Sequence, residues 1–222
     1  MAHPMQRIPR AGDDEAPARA ADRALLLERV AAGMAHEGKN PLHNMVLHLQ
    51  LMAEKLTSAG TPVTKHVNAL RDGIGKVDAL LRSFGEFASP EQLPPDLAAA
   101  AHRAVRLFAY DARRASVLVT CSAPDGLMVR SDGRWLGDLV AHALVAGVEL
   151  ARDGGEVALE LLPQGTAALL IVRAQGGAGN RDNAVVHLDA ARRLAADAVC
   201  ELSIETPPGG VARLSLHFLH PR

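Results

Sequence analysis

Residues 29–52, RVAAGMAHEGKNPLHNMVLHLQLM, decide how this chain reads. Their apolar side chains step by three and four: Leu42, Met45, Leu49 and Met52, continued by Leu56. That period places them on one face of an α-helix, as a seam of heptad type. The period returns downstream in Val63, Val67, Leu70, Ile74, Val77, Leu81, Phe84 and Ala88. Between the two runs Ser58-Ala59-Gly60 breaks the helix. Thr61-Pro62 restarts it, with Thr61 as N-cap and Pro62 at the first helical position, where its missing N–H is harmless. The pattern predicts an antiparallel helical hairpin over 21–88. One hairpin cannot cover two such seams, so two copies are expected to pair as a four-helix bundle, making a homodimer.

Outward from the hairpin the pattern changes. Residues 1–20 carry Pro, Asp, Arg and Ala without periodicity and read as a disordered tail. Residues 89–95, with Pro90, Pro94 and Pro95, read as a linker. Beyond it, Asp96 can cap a helix over 97–115, residues 117–121 and 127–130 read as short strands, and Asp132 can cap a helix over 133–151. Runs 157–162 and 167–173 form a hairpin around Pro163-Gln164-Gly165. A helical stretch from Asp182 to about Ala198 follows. Runs 200–205 and 211–218 flank Pro207-Pro208-Gly209-Gly210, a second hairpin signal. The fold class is α+β: a helical hairpin followed by an α/β sandwich over 96–222.

Composition narrows the function. The 222 residues, 48% hydrophobic, suit one or two small domains with an ample core. A net charge of −1 implies neither nucleic acid nor an anionic membrane as partner. No apolar run approaches the roughly 20 residues of a spanning helix, and the first ten residues have no signal-peptide core. Two cysteines, Cys121 and Cys200, in a chain too large to need a disulfide staple point to a reducing, cytoplasmic setting.

Chemistry concentrates in His36-Glu37-Gly38-Lys39-Asn40-Pro41-Leu42. Helical residues four apart share a face, so Asn40 lies one turn from His36, and His43 and Leu47 extend the stripe. An imidazole with a pKa near 6.5 is largely neutral at cytoplasmic pH, and its free ring nitrogen is a nucleophile. Glu37 can orient the other ring nitrogen or take its proton. Lys39 places a positive charge one turn from His36, suited to an anionic group approaching the ring. Pro41 removes the N–H that the Glu37 carbonyl would accept, which predicts a bend that exposes His36. On their own, His43, His48 and His66 read as solvent-exposed helical histidines, because no Cys/His spacing suggests a metal site.

The motif resembles the phosphoacceptor box of bacterial two-component histidine kinases, usually His-Glu-apolar-Lys/Arg-Asn/Thr-Pro-Leu. Six of the seven positions fit; Gly38 departs, standing where the family has an apolar side chain. The resemblance implies His36 as phosphoacceptor, Glu37 as the acid assisting transfer, and Asn40 as the residue that can hold a hydrolytic water. It also implies that the second half is similar to the family's ATP-binding domain. There the motifs fail. The position of the Mg²⁺-holding Asn is Ala146, and that of the earlier Asn is His142. The adenine-reading Asp of Asp-x-Gly-x-Gly is Ala174, in Ala174-Gln175-Gly176-Gly177-Ala178-Gly179. The segment 182–188 has no phosphate-binding glycines. Tight MgATP binding has little basis without these groups.

The chain therefore looks like a histidine phosphotransferase with a degenerate ATP domain, of the ChpT type and of sporulation relays. Its expected partners are receiver domains of response regulators and a hybrid histidine kinase. Lys39, His43 and Leu47 would meet the receiver, with Leu47 as apolar anchor. No cofactor is expected on this chain; Mg²⁺ would sit on the receiver. The alternatives are a response-regulator phosphatase using Asn40 and Glu37, and a non-catalytic receiver-binding scaffold. An ATP-dependent kinase is the reading these residues favour least.

Overall fold

In the computed structural model, residues 15–56, 64–89, 95–205 and 210–220 are described. Helix α1 spans Glu15–Leu56 and α2 spans Thr64–Ala88. They pack along each other as the two arms of the hairpin. The predicted break and cap at 58–62 lie outside the described residues, as do 1–14, most of the 89–95 linker and the turn at 206–209.

The N-terminal boundary is a correction. Residues 15–20, read as tail, are the first turns of α1. Pro17 stands in the first turn, where a helix tolerates proline. The segment is helical because it has something to pack on: Arg19 pairs with Asp197 at 2.9 Å and lies over Trp135.

Each hairpin helix carries two neighbouring apolar strips. On α1, buried Pro41 and half-buried Met45, His48 and Met52 lie on the side toward α2. On α2, buried His66, Gly73 and Phe87 and half-buried Leu70, Val77 and Phe84 answer them. His48 Nδ1 and His66 Nδ1 meet across the pair at 3.1 Å, so His66 is buried and His48 half-buried rather than solvent-exposed as expected, because each ring gives the other a polar partner inside the helix pair. Gly73 permits the approach, since a Cβ there would stand 2.5 Å from Met45 Cγ. The second strips stay uncovered: Leu42, Val46 and Leu49 on α1, and Val67, Ile74 and Leu81 on α2 are all exposed. The seams seen in sequence are therefore split, half within the hairpin and half facing out.

The second domain runs α3 (Leu97–Leu107), α4 (Ala109–Arg114), β1 (Leu118–Ser122), α5 (Gly133–Leu150), β2 (Glu156–Gln164), β3 (Ala167–Gln175), α6 (Arg181–Asp197), β4 (Cys200–Glu205) and β5 (Ala212–Leu219). Asp96 caps α3 as expected, accepting from the Ala99 N–H. The helix expected over 97–115 is two helices, broken at Phe108. The strand expected at 127–130 is only an isolated bridge, Met128 to Asp96. Asn180 caps α6, accepting from the Asn183 N–H. The sheet order is β1-β2-β3-β5-β4, with β1 parallel to β2 and every other pair antiparallel. Ala168, Leu170, Val172 and Ala174 of β3 and Leu214, Leu216 and Phe218 of β5 face the helices and form the core with α5. Among the described residues no helix is long and apolar enough to cross a membrane.

Residues 138–149 of α5 are buried on every side. A helix buried all round needs cover on its outer face too, and α1 supplies it. Leu26 and Val30 of α1 are fully buried in the shared core. Around them Arg23 pairs with Asp138, Arg29 with Glu149 at 2.8 Å, and Asp22 receives a two-pronged contact from Arg193 at 2.6 and 3.0 Å. The first half of α1 thus belongs to the second domain, and the second half to the hairpin.

Candidate functional site

The site is built on the middle of α1. The helix continues through Pro41 to Leu56, so the proline removes one hydrogen bond without ending the helix. His36, Lys39, Asn40, His43 and Leu47 are exposed, and Leu47 is 46% accessible. His36, Asn40, His43 and Leu47 form one exposed stripe along the helix, with Lys39 beside it. Lys39 and His43 also edge a shallow groove with Leu42, Val46, Val77 and Leu81. A Cβ at Gly38 would meet nothing within 4 Å, so packing within one chain does not require that glycine.

Glu37 is turned elsewhere. It is half-buried, and Arg113 of α4 donates to its Oε1 at 2.5 Å. With Asn40, Pro41, Asn44, Lys76, Ser83, Arg106 and Tyr110 it lines a cleft of about 440 Å³ between the hairpin and α3–α4. The His36 ring is met not by Glu37 but by Tyr110, ring centroids 4.5 Å apart and tilted by 32°. Residues one apart on a helix do not face each other, so Glu37 and His36 find separate partners. Sequence reasoning missed Tyr110, Arg113 and Arg106. One signal was available: Tyr110 is the only tyrosine of the chain.

In the second domain, Ala146 and Ala174 are buried, apolar members of the core. His142, on the same side of α5 as Asp138 and Glu149, shares a 2.8 Å Nδ1–Nδ1 contact with His187 of α6. Burial, then the neighbouring His187, lowers the His142 pKa to about 3. Burial, then Arg29, lowers that of His187 to about 4. The glycine run is a loop packed against the end of α5. Gly176, Gly177 and Gly179 have φ near 70°, and a Cβ at Gly177 would stand 2.2 Å from the Arg152 carbonyl oxygen. Beside it lies a cleft of about 370 Å³ lined by Ala174, Gln175, Arg181, Leu188 and Gly210. Among the described residues no group of three or more His, Cys, Asp or Glu could hold a metal ion. Cys121 and Cys200 are free, and burial raises both thiols, Cys200 to about 12.

No protein-family model matches the chain. Over 155 residues, 64% of its length, it is 29% identical to the two-component sensor PprA of Pseudomonas aeruginosa. The chain resembles a two-component sensor. The match spans 16% of that sensor's length. Among solved structures, the Acinetobacter baumannii histidine kinase AdeS is 12% identical, covering 84% of this chain and 98% of that one, with a TM-score of 0.47. A bacterial phosphotransferase is 18% identical, covering 89% of this chain and 96% of that one, with a TM-score of 0.49.

Proposed function

We propose that this chain is a histidine phosphotransferase that relays a phosphoryl group between receiver-domain aspartates through His36, without binding ATP. The observation that carries the reading is a pairing of two features. An exposed His36–Asn40 stripe bears the phosphoacceptor motif, and the face of α5 that includes His142 is already engaged by α1. With Ala146 and Ala174 apolar and buried, the second domain offers neither a side-chain ligand for Mg²⁺ nor an acceptor for an adenine amine at those positions.

The step is a reversible exchange. A neutral His36 ring nitrogen attacks the phosphorus of the receiver's aspartyl phosphate. The N–P bond forms as the acyl P–O bond breaks, and the aspartate leaves as carboxylate. The other ring nitrogen keeps its proton, so the phosphoimidazole is cationic on the ring and a good donor to the next carboxylate. Lys39 lies one turn from the incoming charge. The receiver supplies its own Mg²⁺. Leu47, exposed on the same stripe, is the apolar anchor for docking.

Offered purified phosphorylated receivers, the protein is expected to take label on His36 as an acid-labile phosphoramidate, and His36→Ala to take none. Labelled MgATP is expected to leave the wild type unlabelled. Label from ATP would overturn the ATP-free reading. Receiver dephosphorylation that survives His36→Ala and fails in Asn40→Ala would make the chain a phosphatase. Binding without any phosphate exchange would make it a scaffold.

We infer further that two copies pair through the uncovered strips of Leu42, Val46, Leu49, Val67, Ile74 and Leu81, in an interface above about 2,000 Å². Light scattering at micromolar concentration should give about twice the 23.4 kDa chain mass; a monomer would refute the pairing.

A further inference from the structure

We propose that Tyr110 is the positioning residue for the His36 ring, so that the second domain serves transfer by orienting the phosphoacceptor. The proposal rests on the phosphotransfer reading of His36.

The contact is built from three matched positions. Gly33, His36 and Glu37 sit within about one turn of α1. Tyr110 and Arg113 sit one turn apart on α4. The Tyr110 ring packs against that of His36 with centroids 4.5 Å apart and a tilt of 32°, and Arg113 holds Glu37 at 2.5 Å. Gly33 lies directly against the tyrosine: a Cβ there would stand in van der Waals contact, 3.4 Å from Tyr110 Cβ and 3.6 Å from its Cδ1. The tyrosine is not on a loose tip. Its neighbours Phe108, Ala112 and Ala115 are buried in the core, and Asp111 pairs with Arg29 of α1 at 3.4 Å. The place of the Tyr110 ring is therefore set by the second domain.

The chemistry favours an aromatic contact here. A histidine on an exposed helix face turns about two side-chain bonds. Transfer needs one ring nitrogen in line with the acyl P–O bond. A hydrogen bond to that nitrogen would orient the ring and block it at once. A ring packed against the imidazole restricts its rotamer without a hydrogen bond to the lone pair that must attack. Misplacement by about 1 Å can cost on the order of a hundredfold in rate, so restricting one ring is enough to matter.

Tyr110→Leu and Tyr110→Phe test this in the full chain, with leucine keeping an apolar wall for the cleft and phenylalanine keeping the ring contact. With a phosphorylated receiver as substrate, Tyr110→Leu is expected to lower the saturated transfer rate about tenfold, with receiver KM within twofold and the melting temperature near wild type. Tyr110→Phe is expected to keep most of the rate. The His36 ring C–H proton resonances should be shifted upfield by the tyrosine ring in the wild type and Tyr110→Phe, and lose that shift in Tyr110→Leu. An unchanged or faster transfer rate in Tyr110→Leu overturns the proposal, as does a rise in KM alone, which would make Tyr110 a docking residue. His36 resonances indifferent to the substitution overturn the contact itself. A wild type that accepts no phosphoryl group from any receiver instead overturns the functional reading, and this role for Tyr110 falls with it.

Discussion

Replacing Arg23 with alanine is expected to destabilise the protein by about 3–5 kcal/mol, the range for an uncompensated buried charge. Arg23 is the hinge pin between the two halves. Its Nη1 donates to both carboxylate oxygens of Asp138, whose side chain is 3% exposed. Its Nη2 donates to the Phe87 carbonyl at 2.6 Å, and its guanidinium lies 5.3 Å over the Phe87 ring. Burial raises the Asp138 pKa, and the hydrogen bond and charge of Arg23 work against that rise. Without Arg23 the carboxylate must protonate or unfold its surroundings. For a chain of this size each kcal/mol is about 2–4 °C of melting temperature, so calorimetry should register a drop of roughly ten degrees. Replacing the pair together, Arg23→Met with Asp138→Leu, should recover most of the loss, because a buried ion pair is weak in net terms although breaking it is costly. A fall of less than two degrees in Arg23→Ala would mean that α1 is not clamped to α5 as described.

Acid should open the same region. His142 and His187 are buried, and their pKa values are lowered to about 3 and about 4. Their Nδ1–Nδ1 contact needs one donor and one acceptor, which two imidazolium ions cannot provide. The sign follows from proton counts. Between about pH 6.5 and pH 4 the unfolded chain binds protons at both positions and the folded chain at neither, so stability falls as pH falls. Each histidine contributes up to about 1.4 kcal/mol per pH unit, so acidification from pH 7 to pH 5 should remove on the order of 3–4 kcal/mol. Asp111 and Asp138, both raised by burial, take up protons sooner when folded and offset part of this at the low end. Arg29, Arg193, Asp22 and Glu149 face the pair from α1, α5 and α6. Of these, Glu149 has a lowered pKa: burial pushes it up, and hydrogen bonds from Arg152 and Arg29 outweigh burial. Thermal melts from pH 8 to pH 4.5 check the slope. Replacing both rings, His142→Leu with His187→Leu, should flatten it above pH 5. A wild-type melting temperature constant from pH 7 to pH 5 would refute the assignment.

Much of the molecule was legible before any coordinates. The three-four step of apolar residues defined both hairpin helices. Short β-rich runs between Gly and Pro marked all five strands, apart from the false one at 127–130. That run pairs by a single bridge because its neighbours are a turn and the start of α5. The stripe His36, Asn40, His43 and Leu47 follows from helical geometry alone, and the structure leaves it exposed. What sequence period could not say is which of two apolar strips each hairpin helix turns inward. Nor could it assign residues 15–20 to a helix, because they are ordered by Trp135 and Asp197, more than a hundred positions away.

The sequence by itself determined most of the elements and the exposed stripe of His36, Asn40, His43 and Leu47, because these depend on local period, capping and side-chain type. Only the tertiary structure decided that α1 serves both halves of the molecule, that Glu37 answers to Arg113 rather than to its neighbour, and that the sole tyrosine lies on the candidate phosphoacceptor. Those relations join residues far apart along the chain. No local pattern encodes them, since they arise when burial of Leu26 and Val30 brings α1 down onto α5 and carries α4 to His36.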